Sequence, residues 1–328
     1  MRRAGAVGIA VFLCVSAVVV VAFASSSALP RGGRVVAKVP IPAGTGAFAV
    51  GEGAVWAVSD RVLTLTRIDP HRNAAVATIK FKLTSACSGE PPGCGEAAAG
   101  NGAVWLTHVT DDTVSRIDPQ TNDVTATIKV GSRPLGIAVS PGAVWVGNSG
   151  GPSVSRIDPS TNRVIATIQV GPPSAASDRM SVGFGASAVW VGVANLKAVV
   201  RIDPATNAIV STIHVPGQPC GFLAADQRAV WAAGAHCANW VARLDPRSNR
   251  RAGQVKGYLL APIGLALGFG SLWFADLDAK EIDRVNPRTG RISARLSVGG
   301  QPIRLGVGFG SVWVRDDGGH VLRIRPQR

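Results

Sequence analysis

The chain has 328 residues, enough to bury a sizeable core in one or two domains. Only 16% of them are charged, while Gly (39) and Pro (21) are plentiful; this excludes a set of long exposed helices and favours many short strands joined by tight turns. The net charge of +14 is carried mostly by arginines spread evenly along the chain, without a basic run interleaved with aromatics, so nucleic acid is excluded as a partner. A small molecule, a protein or an anionic envelope polymer is left.

Met1-Arg2-Arg3 is a short basic segment, and Ala4 to Ala24 is continuously apolar or small. Ala22-Phe23-Ala24 offers an A-x-A cleavage site before the serines at 25–27. The run is also long enough to span a bilayer uncleaved. Residues 1–24 therefore read as a signal peptide or an N-terminal membrane anchor, and residues 25–33 as a linker. Either way the rest of the chain is expected to be exported, extracellular or at the cell surface, with the membrane touched only through this segment. Cys14 follows Leu13, where a lipidation motif would want a small residue.

From residue 34 onward the chain repeats itself. An apolar-Trp pair recurs at Trp56, Trp105, Trp145, Trp190, Trp231, Trp273 and Trp313, spaced by 40 to 49 residues. Before each Trp stands an apolar patch such as "GIAVSPG" (136–142). After it comes a strand ending in Arg-Ile-Asp-Pro or a relative, then a β-branched segment such as "VIATIQV" (164–170). That makes four strands per unit. In the turn after the third, Asp caps, Pro sets φ, and Asn or Gly takes the left-handed position. A period near 40 with four short strands predicts an all-β, seven-bladed β-propeller of antiparallel strands over 34–328. The seventh unit stops at "HVLRIRPQR", short of its fourth strand, and "RVVAKVPI" (34–41) precedes the first unit. The N-terminal strand is thus expected to complete the last blade. A monomer is expected.

These units resemble the YVTN-type propeller repeats of secreted bacterial proteins and are similar to those of the virginiamycin B (streptogramin) lyase family. The resemblance covers nearly all of 34–328. It implies a catalytic His after the Pro that opens one innermost strand, a catalytic Glu three residues after the Trp of the same blade, and a divalent metal beside them. Here no blade has His after that Pro. Blade 6 places Asp276 in the Glu slot but Ile263 in the His slot, and an apolar side chain relays no proton. His108 fills the Glu slot of blade 2, with Gly95 opposite. A G-x-S-x-G elbow, an H-E-x-x-H pair and a dinucleotide fingerprint are all absent.

A residue present in every blade is there for packing, because one site does not need seven copies. By that test the seven Trp are wedges between blades. The Arg at 67, 116, 156, 201, 243, 284 and 323 is expected to pair locally with the Asp two residues on. Function is expected where blades differ, on the face where innermost strands begin. The third residue after each Trp runs Ser59, His108, Asn148, Val193, Gly234, Asp276, Asp316. The residue opening the innermost strand is Leu135, Met180, Cys220, Ile263 or Ile303, and the Gly that follows (Gly136, Gly221, Gly264) becomes Arg304 in blade 7, an anion-binding candidate. Asp111-Asp112, Asp276 with Asp278, and Asp316-Asp317 concentrate acid there, with His108, His236 and His320 nearby. Asp276, Asp278, Asp316 and Asp317 are candidate ligands for Ca²⁺ or Mg²⁺, although no EF-hand spacing is present. Otherwise no cofactor is expected.

Apart from Cys14 there are four cysteines, and export would oxidise them. Cys87 and Cys94 flank "SGEPPG" in one insertion. Cys220 begins an innermost strand whose antiparallel neighbour climbs to Gly234, with Cys237 just beyond, within disulfide reach. The pairs Cys87–Cys94 and Cys220–Cys237 are expected, against a rival zinc site of Cys220, Cys237 and His236. The function expected is non-catalytic binding of a ligand or protein at the channel mouth. The alternative is a divergent metal-dependent lyase or hydrolase on the same face.

Overall fold

The computed structural model describes residues 32–44, 46–81, 95–172, 179–234, 239–257 and 259–327. Residues 1–31, together with Cys87, Cys94, His236 and Cys237, lie outside them. The described chain forms seven four-stranded antiparallel sheets. Blade 1 runs Phe48–Gly51, Ala54–Ser59, Thr64–Asp69 and Ala74–Lys80 from the axis outward, and blades 2 to 6 repeat that order. Blade 7 is built from Pro302–Gly308, Ser311–Asp316 and His320–Pro326, and Gly33–Pro40 supplies its outermost strand, pairing Val39 with Val321 and Gly33 with Pro326. Both ends of the chain thus meet in one sheet, and the innermost strand of blade 7 packs on that of blade 1. The ring closes as the sequence predicts.

Burial follows position in the blade. A second strand such as Ala143–Asn148 is buried at every residue because sheets cover both of its faces. An outermost strand such as Arg163–Gln169 is exposed or half-buried except at Ile168. The core is seven seams, each centred on one fully buried Trp inserted into the next blade. Trp145 meets Met180, Val182 and Val191; Trp313 of blade 7 meets Phe48, Val55 and Ile68 of blade 1.

Each indole also carries a polar N–H that must find an acceptor when buried. In five blades the inner hairpin turns on two positive-φ residues, such as Glu52-Gly53 or Phe309-Gly310, a type I′ geometry. There the Trp Nε1 donates to a carbonyl five residues back at 3.0–3.1 Å, as Trp56 does to Gly51. Blade 3 turns on Pro141-Gly142 instead, and Trp145 donates to Ser140 Oγ at 2.9 Å. Blade 5 differs from both.

The repeated Arg corrects the expectation of a local carboxylate pair. The Asp two residues on is engaged in its own turn: Asp69 Oδ1 accepts the N–H groups of His71 and Arg72. The Arg lies over its own blade's Trp, 5.0–5.6 Å from the ring centre in six blades. From there it reaches the outer turn of the next blade. Arg156 donates to Pro204 O and Asn207 Oδ1, both at 2.8 Å, and Arg323 donates across the closure to Pro70 O and Asn73 Oδ1. In five blades the left-handed Asn of the outer turn is therefore also the acceptor that ties blade to blade. A short-range reading of Arg-x-Asp missed this because the partner lies about a full repeat away.

Candidate functional site

The innermost strands enter the ring at one face and there enclose a pocket of about 160 Å³. Leu135, Met180, Cys220 and Ile263, four of the five residues read as opening innermost strands, line it; in blade 7 the lining residue is not Ile303 but Arg304, the one that replaces the following Gly. Neighbouring strands approach closely here: a Cβ on Gly136 would sit 2.5 Å from Met180 O. Phe48, Phe222, Glu96 and Arg179 complete the wall.

The polar centre of the mouth is an ion pair that sequence reasoning missed. Arg304 Nη2 lies 2.9 Å from Glu96 Oε1, two groups 208 residues apart in sequence, and both side chains are buried. Arg304 also stacks over Phe222, 4.6 Å from its ring centre, and donates to Ile303 O. Glu96 is held in place from below: its N–H donates to Thr107 Oγ1 at 2.8 Å, and that hydroxyl donates to Leu135 O at 3.1 Å. Burial pushes the Glu96 carboxyl above the ordinary carboxylate range, opposed first by the charge of Arg304, with Arg179 and Arg315 adding to it. Arg315, fully buried, donates to the carbonyls of Gly44, Ala47 and Val58 across the seam between blades 7 and 1. Burial, with repulsion from Arg304, brings it down to about 10.

The third-after-Trp positions do not line this pocket. All are buried, and the five polar side chains are hydrogen-bonded near their own blades' turns. Ser59 Oγ donates to Ala43 O. His108 Nε2 shares a 2.7 Å hydrogen bond with Ser115 Oγ, its ring meets Phe81 edge-on, and burial lowers its pKa to about 4. Asn148 Nδ2 donates to Ser153 and Ser155. Asp276 accepts the backbone N–H groups of Leu260, Ala261 and Ala279. Asp316 accepts the His320 N–H and pairs with its ring Nδ1 at 3.2 Å.

The proposed metal ligands are dispersed. Asp278 and Asp317 are exposed, and Asp317 Oδ1 accepts the Gln301 N–H. Asp112 caps Arg133 N and meets Lys129. Among the described residues no three His, Cys, Asp or Glu side chains gather as a metal would require. Cys220 is disulfide-bonded, and every other cysteine of the chain lies outside the described residues.

A closed ring of seven four-stranded blades with a small charged pocket at its axis defines the class: a seven-bladed β-propeller. No protein-family model and no curated protein matches the chain. Among solved structures it is similar to selenomethionine-substituted virginiamycin B lyase from Staphylococcus aureus, with 16% identity and a TM-score of 0.72 over 89% of this chain and 99% of that one. A catalytically inactive histidine-to-alanine form of the same enzyme, with quinupristin, aligns at 15% identity and TM-score 0.67 over 87% and 95%. BamB from Moraxella catarrhalis aligns at 14% identity and TM-score 0.61 over 86% and 85%. What the chain shares with these structures is the propeller fold. At such identity the likeness carries the fold and not the chemistry.

Proposed function

We propose that the protein is an exported, non-catalytic binding propeller whose mouth takes a small organic anion with an apolar body. The observation that carries this reading is the composition of the pocket. Among the described residues that line it, Arg304 and Arg179 accompany one carboxylate, Glu96, with Arg315 behind them, and Phe48, Phe222, Leu135 and Ile263 supply apolar walls. A mostly apolar recess with a few convergent polar groups is the usual form of a small-ligand site. The non-catalytic part rests on blade 6, where Ile263 cannot carry a proton and the Asp276 carboxylate is already held by three backbone N–H groups. Exported, the chain would pair Cys220 with Cys237, stapling the loop beside this mouth.

Calorimetric titration with phenylacetate tests the reading. Saturable binding is expected in the parent protein, weakened at least tenfold in the double variant Glu96→Gln/Arg304→Met, which removes both charges together and leaves neither one buried alone. Equal binding by both proteins, or by neither, would refute it. Incubation with quinupristin and Mg²⁺ should leave the quinupristin intact; a ring-opened product would replace this reading with a lyase.

A further inference from the structure

The tie between blades recurs at every joint except one. Arg67, Arg116, Arg156, Arg201 and Arg323 each reach an Asn in the next blade, and Arg284, facing the chain terminus, takes Gln327 O. At the joint of blades 5 and 6 the acceptor position is Gly290, left-handed at φ +68° but without a side chain. A Cβ there would stand 2.5 Å from Gln254 O, so the close passage of blade 5's last strand forbids the Asn. Among the described residues Arg243 consequently finds no acceptor in the next blade: its Nε is buried without a partner, and its charge acts on Asp245 of its own strand. It is also the one repeated Arg not stacked on its Trp.

The same joint leaves its indole unpartnered. Trp231 stands opposite Arg243 on the adjacent strand. Its hairpin turns through Gln227-Arg228, neither of which has positive φ, and Asp226 instead caps the N–H groups of Arg228 and Ala229. Without the type I′ turn no carbonyl is presented, and Trp231 Nε1 is a fully buried donor with no acceptor. A buried donor left unmet is costly to the fold. A cleft of about 450 Å³ opens at this joint, on the face opposite the mouth, lined by Arg228, Arg243 and Arg288 and by the carboxylate of Asp226, with Asp245 acting on Arg243 from its own strand.

We propose that this cleft is a second binding site, for an oxyanion: a carboxylate or phosphate group seated between the Trp231 indole N–H and the Arg243 guanidinium. One acceptor oxygen there would supply what Asn and the turn carbonyl supply at the other joints. Planar guanidinium paired with an N–H donor suits carboxylate and phosphate alike. The site is independent of the mouth, so either can fail without the other.

The indole ¹H–¹⁵N resonances of the full-length protein read it directly, with Trp231 assigned from Trp231→Phe. Inorganic phosphate and acetate are titrated in separate arms at constant ionic strength, with chloride as the control, to separate phosphoryl from carboxylate ligands. In at least one arm the Trp231 indole proton is expected to move downfield and saturate. That shift should be lost in Arg243→Met, whose other indole resonances report that it is folded. An immobile Trp231 resonance in both arms, a shift equal to that produced by chloride, or one unchanged in Arg243→Met would overturn the proposal.

Discussion

The joint between blades 3 and 4 and that between blades 5 and 6 use the same Trp and Arg to opposite ends. In the first, Trp145 donates to Ser140 and Arg156 Nη1 to Pro204 and Asn207, which ties the two blades, although Arg156 Nε is buried without an acceptor. In the second, Trp231 and Arg243 have lost those acceptors and face a cleft. What differs is not the conserved pair but two turns: Pro141-Gly142 against Gln227-Arg228, and Asn207 against Gly290. In a repeat protein, then, the residues that recur build the ring, and the acceptors that lapse create donors for something else.

The largest effect should come from breaking the ring itself. A chain beginning at Pro42 lacks the strand Gly33–Pro40, exposing the edge of blade 7 and uncoupling both ends of the ring. It should melt more than ten degrees below the parent or fail to fold, and equal melting temperatures would show that the joints hold without closure.

The mouth ranks next. Glu96→Ala leaves Arg304 buried without its partner, a loss expected at about 3–5 kcal/mol. The double variant Glu96→Gln/Arg304→Met should recover most of it in denaturant titration. If the single change is as mild as the double, the pair is not the centre of the mouth.

Two buried titratable groups distinguish blades that are otherwise alike. His108 is lowered to about 4 by burial, so its neutral form is favoured in the fold. Its contribution is complete above about pH 6.5 and is lost as pH falls toward 4, amounting to at most about 3 kcal/mol. Asp283 is raised to about 7, chiefly by burial, so the fold favours its protonated form and loses stability as pH climbs from about 4 to 7. His108→Asn, copying the Asn148–Ser155 arrangement of blade 3, should flatten the acid side of the stability curve. Asp283→Ser, copying Ser155, should raise the melting temperature at pH 8. Unshifted pH profiles in both would contradict these assignments.

The fold was legible because its signals are local and repeated: the Trp period, the Asp-Pro turn, and the strand at 34–41 whose partner is missing at the C-terminus. The wall of the mouth was legible too, since position along the innermost strand names Leu135, Met180, Cys220, Ile263 and Arg304. Glu96 was not. Blade 2 lacks the Pro that marks the entry, and nothing local links residue 96 to residue 304. An acid set between Gly95 and three alanines in a channel-lining strand was the available clue. The polar series Ser59, His108, Asn148, Asp276, Asp316 lies outside this pocket, because a polar residue at a strand end serves its own turn as readily as a ligand. Gly290 in place of Asn was visible in "NPRTG", but its meaning depends on an Arg in the preceding blade.

The comparison of joints is tested most directly by thermal unfolding of two matched variants, Arg156→Met and Arg243→Met, in a buffer without phosphate or carboxylate. Arg156 gives up two hydrogen bonds and its place over Trp145, so its loss should lower stability by about 1–3 kcal/mol. Arg243 makes no such contacts, and its replacement should leave the melting temperature within about a degree of the parent. Equal destabilisation by the two would mean that the fifth joint is tied like the third.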